Sequence, residues 1–252
     1  MKLRDQVAIV TGSSSGIGKE ITRLFLQEGA KVMAADLNEE GCLRLQDEVG
    51  EELAKNLLFL ATDVSKKEQV EQLIAKTTEK FGQLDILVNN AGVMDDMVPV
   101  GDLTDELWEK VMRINVDGVM YACRLAIPLM ENRNGKIINI SSVGGLFGNK
   151  AGAAHTASKH AVIGLSKNIG FMYARSGLRC NVIAPGATQT NIQETMKNVH
   201  EFGVGRTKTD AASVPRVGEA KEVANVALFL ASDDSSMING SVIVADAGWT
   251  VG

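Results

Sequence analysis

Val7-Ala8-Ile9-Val10-Thr11-Gly12-Ser13-Ser14-Ser15-Gly16-Ile17-Gly18 is the stretch that decides the fold. Val7–Val10 is a short apolar run rich in β-branched residues, which predicts a buried strand. The residues from Gly18 to Gln27 carry helical spacing, so the three glycines fall on a strand-to-helix junction. Glycine there permits a tight turn, close approach of the backbone to a pyrophosphate, and close packing of helix on strand. The helix start contributes free N–H groups and the positive end of a dipole. A glycine triplet alone is a weak signal, because turns collect glycine for structural reasons; its position on the first junction strengthens it.

Working outward, six further runs read as strands: Lys31–Ala35, Leu57–Ala61, Ile86–Val88, Lys136–Ile140, Arg179–Ile183 and Val242–Val244. They are too apolar to be half-exposed, as expected of a parallel sheet covered on both faces. Between them, helices are predicted at Glu39–Val49, Ser65–Phe81, Thr104–Met130, Ala151–Arg175 and Glu219–Ala231, with Ser65 and Glu68 spaced as a capping box. Alternating strands and helices with right-handed crossovers predict an α/β, doubly wound, seven-stranded parallel sheet flanked by helices. No linker or repeat divides the sequence, so one unit over residues 1–252 is expected.

The chain has 252 residues, is 45% hydrophobic and carries a net charge of −5, which suits a large core and excludes a basic nucleic-acid-binding surface. No secretory leader pattern or membrane-length apolar run is visible. Cys42, Cys123 and Cys180 show no metal or disulfide spacing, and His155, His160 and His200 show no metal spacing. A cytoplasmic protein with reduced, buried thiols is the expectation.

Asp36 ends the second strand, eighteen residues after Gly18. A carboxylate there can accept both hydroxyls of an adenosine ribose and would repel a 2′-phosphate; an Asp at a strand end can also simply cap the next helix. The ribose role is favoured, and positions 13–15 and 37 hold no arginine to clamp a phosphate. NAD is the expected cofactor.

The spacing Thr11-Gly12-x-x-x-Gly16-x-Gly18 resembles that of the classical short-chain dehydrogenase/reductase family, with its Rossmann-type fold. Asp63-Val64, Asn89-Asn90-Ala91-Gly92, Pro185-Gly186 with Thr190, Pro215–Glu219 and Asn239 through Trp249 match further family motifs in order over nearly the whole chain. The resemblance implies a cofactor-binding set of Gly12, Ser14, Ser15, Gly16, Ile17, Gly18, Asp36, Leu37, Asp63, Val64, Asn90, Ala91, Gly92, Lys159, Pro185, Gly186, Thr188 and Thr190.

It also implies a catalytic group of Asn, Ser, Tyr and Lys. Asn115, Ser142 and Lys159 match three of these, but both spacing rules place the tyrosine on His155. In the family the tyrosine exchanges a proton with the substrate oxygen, the lysine lowers its pKa and holds the ribose, the serine orients the substrate, and the asparagine supports a relay water. Imidazole is a competent acid–base group with a pKa of about 6.5. It falls roughly 2 Å short of a phenol oxygen, however, and a misplacement of about 1 Å can cost on the order of 100-fold. Lys159 is also expected to keep it neutral. The histidine reads as a deliberate change, a chance variant or a native residue; its intact companions favour a recent or deliberate change in a working enzyme.

The expected activity is therefore hydride transfer between NAD and a secondary alcohol or ketone, impaired at proton transfer. The alternative is a catalytically silent NAD-binding module. Val93, Met94, Val143, Leu146, Phe147, Ile192, Met196 and Phe202 are candidates for an apolar substrate pocket, and the segment at about 186–215 is the family's variable, partly mobile substrate loop. A small apolar-to-neutral substrate is expected, with neither nucleic acid nor membrane as partner. The resemblance also implies a homotetramer, in which Trp249 lies at an interface or packs on its own subunit.

Overall fold

The computed structural model describes residues 1–251, apart from the side chains at 209 and 211; Gly252, the last residue of the expected unit, lies outside the described residues. The strands are β1 (Val7–Thr11), β2 (Lys31–Asp36), β3 (Leu57–Ala61), β4 (Ile86–Asn89), β5 (Lys136–Ile140), β6 (Arg179–Pro185), β7 (Thr188–Gln189), β8 (Gly218–Glu219) and β9 (Val242–Ala245). The helices are α1 (Gly16–Gln27), α2 (Glu39–Ala54), α3 (Lys67–Phe81), α4 (Asp105–Met112), α5 (Gly118–Met130), α6 (Ala153–Met172), α7 (Glu201–Ala211) and α8 (Ala220–Ala231).

Seven strands form one parallel sheet in the order β3-β2-β1-β4-β5-β6-β9. The chain moves outward from β1 to β3 and then returns to place β4 on the other side of β1. Strand order therefore reverses between β1 and β4, which opens a crevice at their carboxyl ends. One face packs Ile21, Phe25, Leu45, Val223 and Ala227 from α1, α2 and α8 against the sheet. The other packs Val70, Leu73, Ala122, Ala126, Val162 and Ile169 from α3, α5 and α6. Burial on both faces explains the apolar runs of β1 and β4, and in β5 and β6 it also encloses Asn139 and Asn181. The edge strands β3 and β9, expected to be buried, are instead partly exposed because each has a neighbour on one side only. No helix of the described residues is long and apolar enough to cross a membrane.

One local expectation is corrected. Ser65 does not cap α3: its hydroxyl donates to Asp63 at 2.6 Å and the helix begins after Lys66, whereas a capping box is formed by Glu219 and Glu222 on α8. The helix expected at Thr104–Met130 runs from Asp105 to Met130, with a π turn at Arg113–Asp117 joining α4 to α5. Within the segment expected as the substrate loop lie a 3-10 turn at Asn191–Thr195 and helix α7, and the parallel β7–β8 pair joins Thr188–Gln189 to Gly218–Glu219.

Gly18 shows why α1 lies so close to β1. A Cβ on this residue would collide with the Gly12 carbonyl and sit 2.5 Å from Asn90 Nδ2. Gly18→Ala should therefore cost about 1–3 kcal/mol of stability, a typical overpacking penalty. Urea unfolding measures this; an unchanged midpoint would show that the junction relaxes freely.

Candidate active site

The crevice at the β1/β4 switch opens into a cavity of about 530 Å³. Its inner part is built almost entirely from backbone. Gly12 and Gly16 hold φ of +66° and +52°, and a Cβ on Gly12 would stand 2.7 Å from Asn90 Nδ2. The Asn90 amide fixes this turn by donating to the carbonyls of Thr11 and Gly12, each at 3.0 Å. The first turn of α1 carries no acidic side chain, and among the described residues no side chain caps it. Its N–H groups are thus left for an anion, as a dinucleotide pyrophosphate requires.

Farther along the cavity, Asp36 accepts from the N–H groups of Ser14 and Asn38, each at 2.9 Å. These bonds orient the carboxylate beside the glycine turn, where it lines the cavity with Leu37, Asp63 and Val64. Leu37 is an apolar side chain left 72% exposed. The residues present fit a nicotinamide dinucleotide: donors for phosphate, a carboxylate for ribose hydroxyls, and apolar surface for a base.

The other end is organised by β5 and α6. Ser142 follows β5 with extended backbone, and its Oγ accepts from the Gly144 N–H at 3.0 Å. His155 and Lys159 stand one turn apart on α6, so they share a face. Both are buried, and Lys159 Nζ donates to the Ile140 carbonyl at 3.0 Å. Burial lowers the Lys159 pKa to about 8, which leaves the ammonium charged at neutral pH.

His155 Nδ1 lies 3.0 Å from the Val93 carbonyl. A carbonyl only accepts, so Nδ1 carries the ring proton and Nε2 is bare. Burial, then the Lys159 ammonium, pushes the imidazole down to about 4, against a smaller upward pull from the Val93 bond. The ring is therefore neutral at pH 7, with desolvation a larger cause than the lysine.

Of the residues expected in the site, all but two line this cavity. Gly18 stands behind it, serving the α1–β1 contact. Asn115, turned inward by the π turn, clamps Val93 instead: its Oδ1 accepts from the Val93 N–H at 2.9 Å, and its Nδ2 donates to the Val93 carbonyl at 3.0 Å and to Ser158 Oγ at 3.1 Å. Val93, Met94, Val143 and Ile192 do form the apolar wall, whereas Leu146, Phe147, Met196 and Phe202 do not; Phe202 faces a separate cleft beside α7.

Lys150 is a wall residue that sequence reasoning missed. Its ammonium bonds both carboxylate oxygens of Asp210 on α7, at 2.6 and 2.7 Å, and sits 4.1 Å from the centre of the Trp249 ring. Trp249 Nε1 in turn donates to the Asp210 carbonyl and Ser213 Oγ, so this tryptophan packs on its own subunit. Nothing in the local sequence around Lys150 signals partners 60 and 99 residues away.

A family model described as enoyl-(acyl carrier protein) reductase matches residues 12–250. The chain is 44% identical to 3β-hydroxysteroid dehydrogenase 2 of Eggerthella lenta, over 98% of this chain and 96% of that protein. It is 37% identical to a 3-oxoacyl-[acyl-carrier-protein] reductase of Thermotoga maritima over the full length of both. The crystal structure of levodione reductase superposes with a TM-score of 0.88 at 34% identity, covering 98% of each chain. A shared fold over the whole length, with the glycine cradle in place, leaves one assignment: the chain belongs to the short-chain dehydrogenase/reductase family, oxidoreductases that use nicotinamide cofactors.

Proposed function

We propose that this protein is an NAD-dependent oxidoreductase acting on a secondary alcohol or ketone, impaired in proton transfer because His155 occupies the tyrosine position. The observation that carries the reading is convergence: Ser142, His155 and Lys159 line the same cavity as the glycine cradle and Asp36. When bound, the nicotinamide supplies or takes up the hydride. Ser142 Oγ already accepts from the Gly144 N–H, so its own proton is free to orient a substrate oxygen. Lys159 uses one N–H on Ile140, which leaves the others for a ribose hydroxyl.

Reduction of a carbonyl also needs a proton at the nascent alkoxide. The bare, neutral Nε2 of His155 has none to give at pH 7. In the oxidative direction it can accept one, but as a base with a pKa near 4 it does so weakly. The apolar wall of Val93, Met94, Val143 and Ile192 suits an apolar-to-neutral substrate. The names of the relatives, a hydroxysteroid dehydrogenase and a levodione reductase, support the same class. The reading includes one catalytic unit over residues 1–252, a cytoplasmic setting suited to three buried free cysteines, and a homotetramer for which the exposed Leu129, Phe171 and Met172 on α5 and α6 offer apolar surface.

The fixed tautomer of His155 favours a second reading, a catalytically silent NAD-binding module. His155→Tyr separates the two. General acid–base catalysis contributes about 10²- to 10⁴-fold, so the variant should raise turnover of the best alcohol or ketone by that order while NADH affinity barely moves. If neither form transfers hydride although both bind NADH, the silent module is correct. A fall in turnover would instead make the histidine a native working group.

Cofactor choice rests on Asp36. NADH should bind at least about tenfold more tightly than NADPH, a difference of about 1.4 kcal/mol, and Asp36→Ala should narrow the gap. Equal affinities in the unmodified chain would refute the NAD assignment.

The buried imidazole also predicts an acid limb in stability. Unfolded, it takes up a proton near pH 6.5; folded, it does so only near 4. Between these values the unfolded chain binds more protons, so stability is complete above 6.5 and falls as the pH drops towards 4. At pH 5 the loss from this group is about 2 kcal/mol. Urea unfolding at pH 7 and pH 5 should show a smaller decline in His155→Tyr; equal declines would mean that the ring is not buried neutral.

A further inference from the structure

Residues Val93 to Met97 touch the reaction centre on one side and the substrate segment on the other. Towards the centre, the Val93 carbonyl holds His155 Nδ1 and is itself gripped by Asn115. The fully buried Asp95 carboxylate accepts from the N–H groups of Gly152, at 3.2 Å, and His155, at 2.8 Å. It thereby serves the open first turn of α6, where a Cβ on Gly152 would stand 2.5 Å from either carboxylate oxygen. Both the side chain and the backbone of residue 155 are thus set by this one segment.

Towards the substrate, Asp96 and Met97 hold φ of 57° and 62°. Two successive non-glycine residues in the left-handed region cost about 1–2 kcal/mol each, and persist only where surrounding contacts over-determine them. Those contacts come from the substrate segment. Thr195 Oγ1 accepts from the Met94 N–H at 3.0 Å, and Asp96 Oδ1 from the Lys197 N–H at 2.8 Å. The Asp96 carbonyl accepts from the His200 N–H at 2.8 Å, and Gly203 packs directly on the Met97 carbonyl with no room for a Cβ. The strained turn is therefore a dock for residues 195–203.

We propose that Asp96 is a positioning residue that ties the substrate segment to the turn governing residue 155, so that the cavity wall and the proton-transfer side chain are set together. The tie itself is independent of the oxidoreductase reading; only its kinetic consequence rests on that reading.

The test uses Asp96→Ala, Asp96→Gly and Asp96→Asn, each in the full chain and in the His155→Tyr variant. Limited trypsinolysis reports the tie through cleavage after Lys197. Losing a hydrogen bond to a charged acceptor should speed that cleavage about tenfold in the Ala and Gly variants. Asn keeps an acceptor oxygen and tolerates the left-handed region, so it should protect the site as Asp does. Gly relieves the backbone strain, which keeps the test usable if Ala does not fold. Coupling to residue 155 is read from the His155 imidazole ¹⁵N resonances, which should shift in the Ala and Gly variants. In the His155→Tyr background, KM for the ketone should rise several-fold while NADH affinity stays constant.

Parent-like protection in the Gly variant would overturn the proposal, because the carboxylate would then not be the tie. Faster cleavage with unmoved imidazole resonances and unchanged kinetics would overturn it too, by reducing Asp96 to a loop anchor. Should no form turn over a ketone while cleavage and resonances both respond, the oxidoreductase reading fails and the tie stands.

Discussion

The structure depends on one constraint, the reversal of strand order between β1 and β4. Two parallel strands whose connections leave in opposite directions cannot cover the space at their carboxyl ends, and every functional feature gathers around that gap. Its inner rim must be backbone, because α1 starts so near β1 that Gly12 and Gly18 leave no room for side chains. Its outer rim is built from whatever β5, β6 and α6 deliver, which is where Ser142, Pro185, His155 and Lys159 emerge. A dinucleotide-sized cleft and a reaction centre at its far end thus follow from topology before any particular side chain is chosen.

The proposed reaction centre and the turn behind it form a set of buried polar groups held by backbone rather than by opposite charges. Lys159 rests on the Ile140 carbonyl, His155 on the Val93 carbonyl, and the Asp95 carboxylate on three N–H groups, those of Met97, Gly152 and His155. Burial raises the Asp95 pKa while those N–H groups pull it down. Desolvation is large for each of these groups, and an unmade hydrogen bond in such surroundings costs about 1–3 kcal/mol. Backbone partners cannot swing away as side chains can, so the geometry is rigid and the protonation states are fixed with it. At His155 that rigidity leaves the imidazole proton on the nitrogen facing Val93.

Much of this was legible in the sequence because it is local. The seven strands lie within a few residues of their predicted ends, since strands of a covered parallel sheet are short and rich in β-branched and other apolar residues. The glycine turn, Asp36 and the spacing of Ser142, His155 and Lys159 are fixed by single junctions or by one helical turn. What stayed hidden is tertiary. The π turn that rotates Asn115 onto Val93 leaves no propensity signal, and Ser65 matched a capping pattern while its hydroxyl had a closer acceptor in Asp63. The substrate segment was expected from the family resemblance only as a loop, and α7 lies in it with little apolar periodicity of its own; distant partners at Asp96, Lys150 and Trp249 hold it. Asp95 carries no signal in its own stretch, because the N–H groups of Gly152 and His155 that it accepts from lie 57 and 60 residues away.

The bonds around residue 155 have one more consequence, for how such a protein fares in a cell. Its backbone N–H is satisfied by Asp95 and its ring N–H by Val93, so at neutral pH both donors of the histidine are paired. Chaperones and proteases act on chains that expose unfolded segments, and abundance follows folding free energy rather than turnover. A chain carrying this histidine keeps both of those bonds inside its folded interior. How well residue 155 fits the fold and what it does for a reaction are therefore separate properties, and quality control reads only the first.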